Sequence, residues 1–377
     1  MAAKREPAAA TGSDAINDRQ MVDRGGPFMF LRAVSSGWGR LGWKTRFIIK
    51  RLGILLIQVW GIVTLVFILI QLLPGDPTYQ LAGGLASEQT RQALTESLGL
   101  DQPIHIRYMR YVGNVLQGDL GTSYFTSKPV LEEVWRRFGA TLELVTFAFV
   151  VAVAVAVPLG VIAAVSRKGL FRKVPFVYGM VAGALPEFWW ALMLILVFFV
   201  FLGIAPAPVG RIDLGLIEPE RVTGLLTIDS MLAGNLEVFR SAFAHLILPG
   251  VTLAFVYAAP LLKLTRTQMM EALASDYVRY AWACGIPTGR VHRGALKNAI
   301  MPVITLSGLV YGYLISAAVL VETVFSWGGL GEFAVQSVVN SDYLAVSGTV
   351  MFIAVFALTV YVLMDIVHAI VDPRTRQ

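Results

Sequence analysis

Cysteine occurs once, as Cys284, which excludes an intramolecular disulfide and any metal site built from several thiolates. Histidine is nearly as scarce. His105, His245, His292 and His368 are scattered along the chain and form no HExxH-like cluster, so a metal centre or a metal-dependent enzyme finds no ligand set. Charge is also thin: 15% of residues are Asp, Glu, Lys or Arg, against roughly a quarter in soluble domains. With 56% hydrophobic residues and a mean hydropathy of +0.66, the balance indicates an integral membrane protein. The net charge of +6 then reflects basic residues gathered at one membrane face beside lipid, and no nucleic-acid partner is expected. Phosphate-binding loops are missing as well. Residues 37–42 spell GxGxxG, but they follow no strand and open no βαβ unit. Residues 42–45 imitate a phosphate loop with Trp43 where the lysine belongs. No cofactor is therefore expected in this chain. Residues 1–45 are polar and aperiodic, without the compact apolar core of a secretory signal, and read as a disordered cytoplasmic tail.

What the chain has in quantity is long apolar stretches. Six approach the roughly 20 residues that span hydrocarbon, at about 52–73, 141–165, 174–202, 246–264, 300–323 and 345–370. Pro158 and Pro186 fall inside the second and third, where neighbouring helices can satisfy the freed carbonyls. Pro249 and Gly250 interrupt the fourth, and Lys263 and Arg266 mark its end as snorkelling cations at the inner interface. Lysines and arginines fix the orientation. The tail holds ten, the 166–173 turn four, the stretch around 271–302 six and the C-terminus two, whereas the two long loops on the opposite side hold six and three. The expected fold class is an all-α membrane protein of six spans with both termini in the cytoplasm. The long outer loop, 74–140, shows amphipathic helical pattern at 88–98 and 130–138, expected to lie on the membrane surface or over a channel mouth. A third outer loop, 325–342, carries Gly328-Gly329-Leu330-Gly331 and reads as a flexible re-entry or cap.

On the cytoplasmic side, residues 271–302 read as two short helices around a turn at Gly285-Ile286-Pro287. Glycine can take the positive φ that ends a helix, and proline cannot continue one. Asp276, Arg279 and Arg290 flank a small, partly apolar face of Ala281, Ala283 and Cys284. Such a face admits close approach by a partner's groove, whose acids arginines can bridge.

The run Asp276-Tyr277-Val278-Arg279-Tyr280-Ala281, then Gly285, then Ala295-Leu296-Lys297-Asn298-Ala299 and Pro302, resembles the EAA cytoplasmic loop of ATP-binding-cassette importer permeases. More narrowly, it resembles that of the dipeptide, oligopeptide and nickel transport family, in its first-permease, B-type subunit. Leu73-Pro74-Gly75-Asp76-Pro77, Leu98-Gly99-Leu100-Asp101-Gln102-Pro103-Ile104, Gly118-Asp119-Leu120-Gly121-Thr122-Ser123, Val321-Glu322-Thr323-Val324-Phe325 and Val371-Asp372-Pro373-Arg374 are similar to further runs of that family, in order. The resemblance covers 46–374, the permease domain, leaving 1–45 and 375–377 as tails. It departs at Cys284 and Trp282, where basic residues are common. One residue is also missing near His292–Gly294, which predicts a turned or shortened second helix.

The resemblance implies a type I importer permease fold in the bacterial plasma membrane, paired with a homologous second permease and served by an extracytoplasmic substrate-binding protein. Two ATPase subunits, carrying ATP and magnesium, would hold the coupling loop, 271–299. Its contacts would be Asp276, Tyr277, Arg279, Ala281, Ala283, Gly285, Ile286 and Arg290, and Glu187, Trp190 and Glu322 would line the translocation path. The cargo would be di- or oligopeptides or a related small solute, moved by alternating access. A rival reading is a proton-coupled carrier, because Glu187 and Asp365 are ionisable residues inside spans and costly in lipid. Trp189 and Trp190 suit either a lipid anchor or a path wall.

Overall fold

A computed structural model describes residues 43–72, 87–99, 101–166 and 169–371. The tail expected over 1–42, the PGDP run, the cations of the 166–173 turn at Arg167 and Lys168, and residues 372–377 lie outside the described residues. So does the side chain of His368. Of Met1–Ile49, the smaller of two compact units, only the first turns of one helix are described. Lys50–Gln377 contains everything else.

Twelve helices follow in order among the described residues: α1 (Trp43–Leu72), α2 (Glu88–Leu98), α3 (Ile104–Leu116), α4 (Val130–Val165), α5 (Gly169–Ala182), α6 (Glu187–Leu194), α7 (Leu226–Leu232), α8 (Leu236–Ala274), α9 (Asp276–Ala283), α10 (Thr288–Phe325), α11 (Leu330–Val339) and α12 (Tyr343–Val371). A π-helical turn, Ile195–Phe201, continues α6. Five of these helices are long and apolar enough to cross a membrane, and α5 with α6 makes a sixth span if the bent pair counts as one. The all-α class with up to six spans stands.

The core is a seam between α4 and α8. Ala148, Ala152, Ala156 and Gly160 repeat every fourth residue, which places them on one face of α4. The three alanines are fully buried, and a Cβ on Gly160 would sit 2.7 Å from Thr265 Cβ. Helices in lipid gain nothing from excluding water, so small side chains that let backbones approach supply the packing energy instead. Leu253, Leu261 and Leu262 of α8 are buried in the same cluster, with Val310, Leu314 and Ala318 of α10 completing it.

Helix ends differ from the sequence expectation where packing outruns hydropathy. Residues 130–138 are no separate amphipathic helix: they are the first turns of α4, because Val130 and Val134 bury against Leu330, Phe333 and Ala345. The 325–342 stretch, expected as a flexible re-entry or cap, contains α11, held in that same cluster. Pro249 and Gly250 do not interrupt α8, which runs 39 residues, about 58 Å at 1.5 Å per residue. It therefore projects well beyond a hydrocarbon core of about 30 Å.

The third apolar segment is not one helix. The axes of α5 and α6 meet at 95° across a break of Gly183, Ala184, Leu185 and Pro186. Pro186 does not sit inside a helix as expected. It takes φ −63° and ψ 159° as the residue that starts α6. Its ring fixes φ and its nitrogen has no proton to donate, so a first-turn position costs least.

Candidate functional site

Ser275 (φ −73°, ψ 156°) ends α8 and starts α9. Ten residues later the chain reverses through Gly285, whose φ of +74° is the left-handed value expected of it. Pro287 (φ −56°, ψ 137°) opens the next helix. That helix is neither short nor shortened. It is the start of the 38-residue α10, which runs through His292–Gly294 without a break.

Val278 fastens α9 to the protein. It is fully buried with Met269 of α8 and Val291, Ala295 and Ala299 of α10, and Ala281 packs partly against them. The expected small-residue docking face is thus corrected: Ala281 turns inward, while Ala283 and Cys284 stay exposed. What faces solvent is larger and more aromatic, with Tyr277, Tyr280, Trp282 and Ile286 all exposed. Asp276 and Arg279 pair at 3.6 Å on this surface with both side chains almost fully in solvent. Such a pair contributes little stability and leaves both charges available. Arg290 is exposed in the first turn of α10.

Glu187 begins α6 at the break in the third segment. It is half-buried, and one carboxylate oxygen accepts the Tyr257 hydroxyl of α8 at 2.7 Å. Trp190 lies one turn further on the same side and packs edge-on to Phe255, with centroids 4.8 Å apart. Its indole nitrogen is buried without an acceptor. Trp189, in T-shaped contact with Trp190, is the more exposed of the two. Below the break, Lys263 and Arg266 do not simply point to an interface. They help line a cavity of about 420 Å³ between α5 and α8.

Glu322 does not line a path. It is fully buried and accepts Thr141 Oγ1 at 2.6 Å, Gly331 N at 2.7 Å and Glu332 N at 3.2 Å. The physical reason is the start of α11, whose unpaired backbone N–H groups need an acceptor and find it in this carboxylate. Asp365 pairs with Arg51 at 3.0 Å, each about two-fifths exposed.

Two acids that the sequence reading passed over do similar work. Glu143 accepts the backbone and hydroxyl of Thr227 at 2.7 and 2.5 Å, and Arg211 also pairs with it, tying the 204–241 loop to α4. Asp342 accepts Ser123 Oγ at 2.5 Å and Ala345 N at 3.1 Å, tying the long outer loop to the start of α12. Among the described residues no group of three or more His, Cys, Asp or Glu is placed to hold a metal.

Residues 156–377 match the family described as binding-protein-dependent transport system inner membrane component, and 44–145 match the N-terminal region described for such membrane components. The chain belongs to this family. As a multi-pass inner-membrane permease subunit, it is 38% identical over 338 residues to the dipeptide transport system permease protein DppB of Escherichia coli K12, covering 88% of this chain and 98% of that one. A probable D,D-dipeptide transport system permease, DdpB, of the same strain is 40% identical over 321 residues, covering 85% and 94%. The di/tripeptide transport system permease DppB of Pseudomonas aeruginosa is 39% identical over 332 residues, covering 88% and 98%. The rival proton carrier loses its basis here. The family transports with a binding protein, and one of the carrier's two acids, Asp365, is tied to Arg51.

Proposed function

We propose that this permease imports peptides, paired with a second permease and driven by two ATPase subunits that grip α9. The peptide cargo is supported by the printed functions of the relatives. The observation that carries the coupling role is Val278. Through it, one short helix with an exposed aromatic and charged surface is anchored at once to the cytoplasmic ends of α8 and α10. A force on α9 is therefore transmitted to two spans rather than absorbed in a loop. The ATPases, carrying ATP and magnesium, would close and open beneath it, while an extracytoplasmic binding protein delivers the peptide.

The single cysteine provides the test, because Cys284 is exposed at the end of α9. A maleimide should label Cys284 quickly in the isolated permease and at least tenfold more slowly in the complex with its ATPases. Equal labelling in both would remove α9 from the interface.

A further inference from the structure

We infer that Glu187 holds the α-ammonium group of the transported peptide, an assignment that rests on the peptide-importing reading above. Glu187 is an acid within the bent apolar segment of α5 and α6, and an ionised side chain in lipid is expensive enough to require protein or water on that face. Its one hydrogen bond is from Tyr257, and among the described residues no lysine, arginine or histidine lies within ion-pair distance of it. A carboxylate offers about four acceptor positions, so Tyr257 leaves most of them for a cation.

The backbone says the same thing independently. At Gly183–Pro186 the span is broken and its axis turns by 95°. Irregular backbone at membrane depth is stable only against protein or a water-filled cavity. The carboxylate is thus placed where a discontinuous helix faces a path or a partner rather than lipid.

Its neighbours fit an amine. Tyr257 reaches the acid through its hydroxyl and Trp190 stands one helical turn along from it, and an aromatic ring beside a carboxylate adds its quadrupole to the attraction for an ammonium. The α-ammonium is the positive group that ordinary peptides share whatever their side chains. One acid at this point therefore accepts many sequences.

The test uses the whole complex in proteoliposomes, with its ATPases and binding protein, supplied with a mixture of di- to pentaalanine and read by mass spectrometry. Glu187→Gln keeps an acceptor for the Tyr257 hydroxyl and removes only the charge. Its maximal uptake rate should fall about tenfold, the effect of losing one charge-assisted contact. The concentration of loaded binding protein giving half-maximal rate should not change. Glu187→Asp should restore part of the rate. Uptake by Glu187→Gln within twofold of wild type would overturn the assignment. So would a Glu187→Gln complex that loses its second permease or melts lower, because Glu187 would then be pairing with that subunit. If the wild-type complex takes up none of these peptides, the peptide-importing reading itself fails, which is a different result from normal uptake by the variant.

Discussion

The carboxylate of Asp229 accepts the backbone and hydroxyl protons of Thr223, each at 2.7 Å, and the backbone N–H of Gly224 at 3.0 Å. Burial by itself raises the pKa of this group, but these donors outweigh it and hold it below the usual 3.8. A carboxylate whose folded value is depressed contributes stability above its unfolded value, and that contribution is lost as pH falls through the folded one. Asp229→Asn should therefore destabilise the purified protein near neutral pH by about 1–3 kcal/mol, the cost of leaving buried donors poorly paired. Melting temperatures of variant and wild type should converge as pH drops below about 4. The same loop meets Gly139 of α4, where an added Cβ would lie 2.1 Å from the carbonyl oxygen of Gly224. Backbone cannot rotate away as a side chain can. Gly139→Ala should cost about 1–3 kcal/mol through overpacking and make the 204–225 segment more sensitive to limited proteolysis.

At the scale of the helices, the α4–α8 seam depends on residue size rather than hydrophobicity. Ala152→Leu adds an apolar side chain where no exposed surface remains, so it should lower both the melting temperature and the yield of folded protein in detergent. The same change at Val155, which is 42% exposed, should be nearly neutral. The existence of the spans was legible because runs of apolar residues near 20 long have few other uses. Their ends were not, because Val130 and Val134 continue α4 through contacts with Leu330, Phe333 and Ala345, far away in sequence, and Val278 anchors α9 through contacts with two other helices. Pro186 reads from sequence as a tolerated proline inside the third segment, and hydropathy averaged across it conceals the 95° turn. The acids were hardest to read. Glu143 meets Thr227, Glu322 meets Thr141 and Ser123 meets Asp342 across 84, 181 and 219 residues. In sequence each is one more charge, and only the fold shows that it pins a loop.

Across Lys50–Gln377 the buried acids gather where the outer loops meet the spans, and Val278 closes the opposite, cytoplasmic end. A hydrogen bond to a carboxylate contributes about 1.5–3 kcal/mol, so Glu322 ties the outer end of α10 to α4 and Asp342 ties that of α12 to the outer loop. The seam of small residues ties α4 to α8 along its length. Among the described residues two places escape this bracing: the turn at Cys284–Pro287, where Gly285 has open space around it, and the break at Gly183–Pro186. A transporter that alternates its access must bend somewhere, and rigid helices bend at such interruptions rather than in their middles. Hydrogen exchange in the assembled complex, nucleotide-free against trapped with a non-hydrolysable ATP analogue, should therefore change at 183–187 and 284–288. Amides in the buried middles of α4, α8 and α10 should stay protected in both states. Exchange that altered throughout α8 while the two interruptions stayed constant would mean that the span itself deforms, and that α9 does not act as a lever on a rigid helix.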